Sequence, residues 1–131
     1  MKPISLFLLC VLLAGCDPMR YIELQKNKDP NKSVVIYGTE RLNRQEAHNG
    51  KSVIALKPNE ETTTVRYAFG KWDDAALNET SQDIDSIVLF NNPEKKVLIA
   101  KEDIRRFLKQ HRNTVYRNGI EIKNFKWKVY E

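Results

Sequence analysis

The polar stretch from Asp73 to Asp85 gathers Asp73, Asp74, Asn78, Glu79, Asp83 and Asp85, the best polar constellation for chemistry in this 131-residue chain. Calcium takes about six to eight oxygens, and such a stretch can supply them. The ordered Asp-x-Asp-x-Asp-Gly spacing is missing, however, so residues 73–85 read as a solvated acidic loop, with calcium left open. The two histidines stand in unrelated contexts: His48 precedes a turn and His111 ends a helical stripe. Zinc wants several His, Cys or carboxylate ligands at short spacings, so no metal site and no cofactor is expected. No serine sits in a Gly-x-Ser-x-Gly elbow, and the five glycines build no phosphate-cradling loop. On these grounds the chain is read as a non-enzyme, and no catalytic residue is assigned.

Sulfur chemistry is confined to the beginning of the chain, where Cys10 and Cys16 are the only cysteines. Lys2 precedes an apolar run over residues 4–13, interrupted only by Ser5, and Ala14 and Gly15 follow before Cys16. That is the layout of an export signal. A bilayer-spanning helix takes about 20 apolar residues, whereas residues 4–15 number 12, too few to remain as a span. Leu13-Ala14-Gly15-Cys16 resembles the lipobox of bacterial lipoproteins. The resemblance implies cleavage between Gly15 and Cys16, a diacylglycerol on the Cys16 thiol and, usually, an acylated amine. One acyl chain binds a membrane marginally, and two or three hold it firmly. Residues 1–15 are then a signal peptide, 16–20 a lipidated tether and 21–131 one domain. The expected place is the bacterial cell envelope, facing the periplasm or the exterior; Asp17 behind the anchor leaves the choice of membrane open. With Cys10 removed and Cys16 lipidated, no disulfide or cysteine metal site remains.

Removing 15 of 131 residues leaves 116, enough for one small domain. Charge is uneven along the chain. Residues 95–131 carry 11 Lys and Arg against 4 acids, while residues 17–94 carry 10 against 13. In a cytosolic protein such a basic half would suggest nucleic acid, which an exported domain rarely meets, so no nucleic-acid partner is expected. Anionic headgroups, wall polymers or an acidic protein are the natural counterparts, alongside the plainer reading of a solvated basic face.

The elements that position these groups are mostly strands. "YIELQKNKDPNKSVVIY" reads as a hairpin, with alternating Ile22 and Leu24, turn chemistry at Lys28-Asp29-Pro30-Asn31 and a β-branched run after Ser33. Residues 38–50 form a polar loop, with room for a helical turn at 41–47, ending in the turn dipeptide Asn49-Gly50. "KSVIALKP" and "TTTVRYAF" are strands, the second placing Thr63, Val65, Tyr67 and Phe69 on one face. A short helix fits residues 73–77. "IDSIVLF" and "KKVLIA" flank a loop at Asn91-Asn92-Pro93-Glu94 and read as a hairpin buried at the centre of the core. One helix, near residues 101–112, has a clear 3.6 period through Ile104, Phe107, Leu108 and His111. Its outer side makes Arg105, Arg106, Lys109 and Arg112 a candidate basic contact face, joined by Lys95, Lys96, Lys126 and Lys128. "IEIK" and "FKWKVYE" close the chain as strands, and Trp72 reads as a core residue.

Beyond the lipobox, "IELQKN", "DSIVLF" and "FKWKVYE" resemble segments of short, uncharacterised β-rich bacterial lipoproteins, from which the loop at residues 38–50 departs. The resemblance implies a β-rich domain with one late helix and carries no activity. The expected fold is mainly β, a small β-sandwich-like domain with one amphipathic helix. The expected role is a membrane-tethered binding or assembly module with an envelope protein as partner; the alternative is an inhibitor or immunity-type lipoprotein that blocks a single enzyme.

Overall fold

The computed structural model describes residues 18–113 and 118–130, so Gly15, Cys16 and the signal segment lie outside the described residues. Among the described residues eight strands run in the order β1 (Met19–Gln25), β2 (Lys32–Thr39), β3 (Lys51–Ile54), β4 (Thr62–Phe69), β5 (Ile84–Asn91), β6 (Glu94–Leu98), β7 (Arg112–Asn113) and β8 (Gly119–Ile122). Helix α1 (Asp74–Asp83) separates β4 from β5, and α2 (Lys101–Gln110) separates β6 from β7. Two four-stranded sheets result, ordered β4-β1-β8-β7 and β3-β2-β5-β6. The second is antiparallel throughout; in the first, β1 lies antiparallel to β4 and parallel to β8. The mainly β, sandwich-like class is therefore the observed one.

Alternation along each strand sends one set of side chains inward. Ile22, Leu24, Val65, Ile120 and Ile122 from the first sheet meet Ile36, Ile54, Ile87 and Leu89 from the second in one core. Leu77 of α1 and Ile104, Phe107 and Leu108 of α2 complete it. Each such fully buried aliphatic side chain contributes about 2 kcal/mol relative to exposure. Trp72 is buried as expected.

Four elements differ from their sequence reading. Strands β1 and β2 are not a hairpin, because each pairs within a different sheet. Asp29 N–H donates to Asn27 Oδ1 at 2.9 Å and Asn31 N–H to Asp29 Oδ1 at 3.0 Å; this chemistry reverses the chain without choosing its neighbour. The acidic stretch is no loop. Asp73 caps Ala76 N–H at 2.8 Å and a full α1 follows through Asp83. Its buried face is Ala76, Leu77, Thr80, Ser81 and Asp83, too polar to leave an apolar period. Strand β6 is an edge strand with Val97 45% and Ile99 67% exposed beside it, so only β5 of that hairpin is central. Finally, "FKWKVYE" forms a 3₁₀ turn over Trp127–Tyr130 instead of a strand. Phe125 and Trp127 are still buried, but they cap the sandwich opening, with Lys32 Nζ 6.0 Å from the Phe125 ring and Lys96 Nζ 5.2 Å from the Trp127 ring. Period-two burial does not require a ladder.

Asn118 ties down the start of β1. Its Nδ2 donates to Gly70 O at 2.6 Å and to Met19 O at 3.3 Å, and its backbone oxygen accepts from Tyr21 N–H at 3.2 Å and Trp72 Nε1 at 3.1 Å. Gly38 serves a second close approach, at the crossing of β2 over the end of α1. A Cβ there would lie 2.3 Å from Asp83 O and 2.7 Å from Leu42 Cδ2. Gly38→Ala is expected to destabilise the fold by about 3 kcal/mol through overpacking against backbone. Urea unfolding followed by circular dichroism should show a lower midpoint at unchanged slope.

Candidate functional site

The loop after β2 is held rigidly. Leu42 is fully buried, Glu40 N–H donates to Gly50 O at 3.0 Å, and Asn49 and Gly50 take φ of 52° and 74° in a tight turn. Asn43 Nδ2 donates to Val53 O at 3.0 Å, covering the edge of β3, while Asn43 N–H reaches Ser52 Oγ at 3.1 Å. The short 3₁₀ turn Arg44–Glu46 is thereby pinned opposite β4.

Between this loop and β4 lies an open cleft of about 590 Å³. Arg41 and Arg44 stand on one wall and Arg66 on the other, with Thr64, Val65 and Tyr67 beside it. Arg41 is shared loosely between Glu79 at 3.8 Å and Asp83 at 4.0 Å. Arg44 and Arg66 are exposed and have no hydrogen bond or ion pair among the described residues. Guanidinium groups are weakly hydrated planar forks that match carboxylate and phosphate oxygens. Arg44 and Arg66, with Arg41 beside them, give this cleft groups chemically suited to a carboxylate or phosphate.

Behind Arg41 the floor is a buried polar cluster. Asp83 is 7% exposed and accepts from Thr39 Oγ1 at 3.2 Å and from the Tyr67 hydroxyl. Burial of the phenol, then its hydrogen bond to Asp83 and the charge of that carboxylate, push Tyr67 well above its ordinary value of 10.0. Tyr67 stays a neutral donor. Its ring also stacks on Trp72 at 6.3 Å, and Arg20 sits 5.8 Å from the Trp72 ring. Thr80 is fully buried one turn before Asp83.

Farther along β4 the groove continues past Thr63, where Lys57 Nζ meets Glu46 Oε1 at 3.0 Å. The hydrogen bond to Glu46, followed by the charges of Glu46 and Glu60, raises the Lys57 pKa. That section is internally neutralised.

The basic residues singled out from the helix are placed differently from one another. Arg105 is half-buried without a partner among the described residues. Arg106 pairs with Glu102 at 3.5 Å and Asp103 at 3.4 Å, Lys109 lies 4.0 Å from Asp74, and Arg112 in β7 donates to Trp72 O at 2.9 Å. Lys96 leaves that surface and stands over Trp127. His111 caps α2, its Nδ1 2.8 Å from Phe107 O and its Nε2 3.0 Å from Asn124 O. Among the described residues no group of three His, Cys, Asp or Glu side chains is placed to hold a metal. Sequence reasoning missed the cleft arginines. Arg66 was legible as an outward residue of an alternating strand, but nothing in the spacing brings Arg44 opposite it.

Compared with protein-family models, with curated proteins and with solved structures, the chain matches none.

Replacing Tyr67 by Phe leaves buried Asp83 short of a donor and is expected to cost about 2 kcal/mol at neutral pH. A folded-state pKa raised above the unfolded value gives stability that is complete below pH 10 and lost as pH climbs beyond it. Chemical denaturation across pH 7 to about 12 should show that alkaline loss in the native chain and a shallower one in Tyr67→Phe.

Proposed function

We propose that the chain is a lipid-anchored, non-enzymatic binding module of the bacterial cell envelope, held through Cys16 and engaging an anionic partner at the cleft of Arg41, Arg44 and Arg66. The observation that carries the binding role is the pair Arg44 and Arg66: two exposed guanidinium groups on one cleft, without an acid to neutralise either among the described residues. Arg106 and Lys109, by contrast, are matched to acids of this domain; two free arginines converging on one cleft favour an external counter-charge. The polar groups beneath are committed to one another, Tyr67 and Thr39 to Asp83, which suits a fixed recognition surface. Anchoring is supported by the lipobox residues Leu13-Ala14-Gly15-Cys16. No helix among the described residues is long and apolar enough to cross a membrane, and in this reading attachment rests on acyl chains at Cys16.

Two measurements test the two halves separately. Metabolic labelling with an alkyne fatty acid should mark the native chain in the membrane fraction, and Cys16→Ser should lose both label and membrane retention. Labelled poly-glutamate should bind the full chain in neutral-lipid nanodiscs, weakening about tenfold in Arg44→Glu/Arg66→Glu and falling with salt. Equal binding by the double variant would remove the cleft from the proposal, and an unlabelled native chain would remove the anchor.

A further inference from the structure

The cleft is lined by Thr64, Val65, Arg66 and Tyr67, four consecutive residues of β4. Successive residues of a strand point to opposite faces, so a cleft touching all four runs along the strand's edge. That edge is open. Strand β4 is terminal in its sheet and pairs only with β1, and no outward backbone hydrogen bond from Thr64 to Tyr67 occurs among the described residues. The edge of β3 across the groove is treated differently, since Asn43 caps the carbonyl of Val53. An unsatisfied edge is a template for a further strand. Tyr67 bounds it at one end: the register shifts between Arg20 and Tyr21, leaving Tyr67 as an extra residue in β4, and such a bulge twists the edge and ends regular pairing.

We infer that this cleft binds an acid-rich, extended polypeptide segment, which adds as a strand to the outer edge of β4 while its carboxylates meet Arg44 and Arg66. The inference rests on the anionic-partner reading of the same cleft and names the partner's chemistry. Backbone groups of the added segment satisfy the open edge over Thr64 to Tyr67, about 13 Å of strand. The carboxylates supply the charge that the arginines lack. A compact anion such as phosphate satisfies the guanidinium groups but leaves the edge unpaired, so the edge is what selects a polypeptide.

The test uses the full lipidated chain in neutral-lipid nanodiscs and three fluorescent probes: a Glu/Thr decapeptide, the same sequence methylated on every backbone nitrogen, and inorganic polyphosphate. The expected result is binding of the decapeptide, at least about tenfold weaker binding of the methylated one, and slower amide exchange at Thr64–Tyr67 in the decapeptide complex. Arg44→Glu/Arg66→Glu should weaken the decapeptide about tenfold with an unchanged circular dichroism spectrum. Methylated and unmethylated peptides binding alike would overturn strand addition while leaving the anionic cleft standing. Polyphosphate binding without either peptide would overturn the polypeptide partner, and binding of no probe would overturn the cleft reading as well.

Discussion

One carboxylate joins the two sheets of this domain. Asp83 accepts from Thr39 on β2 and from Tyr67 on β4, strands belonging to different sheets. A buried carboxylate is costly unless its lone pairs are satisfied, and here two neutral hydroxyls and the looser Arg41 share that task. Because Asp83 also ends α1, the same contact fixes where the helix stops and β5 begins. The close approach of the Asp83 carbonyl to Gly38 follows from it. Both walls of the cleft depend on this junction: Tyr67 belongs to one, and Arg41 leaves the other.

Two strongly periodic segments matched their elements. Alternation in "TTTVRYAF" and the 3.6 period of "KEDIRRFLKQH" correspond to β4 and α2. Partner choice was beyond them. The turn at Asp29 and Asn31 is present, yet it carries the chain from one sheet to the other, because pairing is decided by which apolar faces must meet in the core. Helix α1 was concealed by Thr80, Ser81 and Asp83 on its buried face, residues that ordinarily signal loops. Phe125 and Trp127 showed that they are buried without showing how. The cleft was the least legible feature, since its walls come from different sheets.

Segment charge is an incomplete guide to local potential. The net-basic segment, residues 95–131, contains Arg106, Lys109 and Arg112, engaged by acids or a carbonyl within the fold, beside Arg105, Lys126 and Lys128, whose side chains have no partner among the described residues. The net-acidic remainder holds Arg41, Arg44 and Arg66; nearby Glu46 is directed to Lys57 and Glu61 to Lys26, while Glu79 is shared between Arg41 and Arg20. What a surface offers a partner is the charge left after internal pairing.

The placement of β1 has a mechanical side. It is an interior strand, hydrogen-bonded along both flanks, and the chain enters it at Pro18, whose carbonyl accepts from Gly70 N–H at 2.8 Å. Ladder bonds lie across the strand direction, so tension drawn along β1 from its N-terminal end loads both ladders together in shear instead of opening them one bond at a time. Asn118, clasping Met19 and Gly70 at that entrance, adds a cross-tie where the load arrives. A domain built this way resists being pulled apart by tension applied ahead of Pro18.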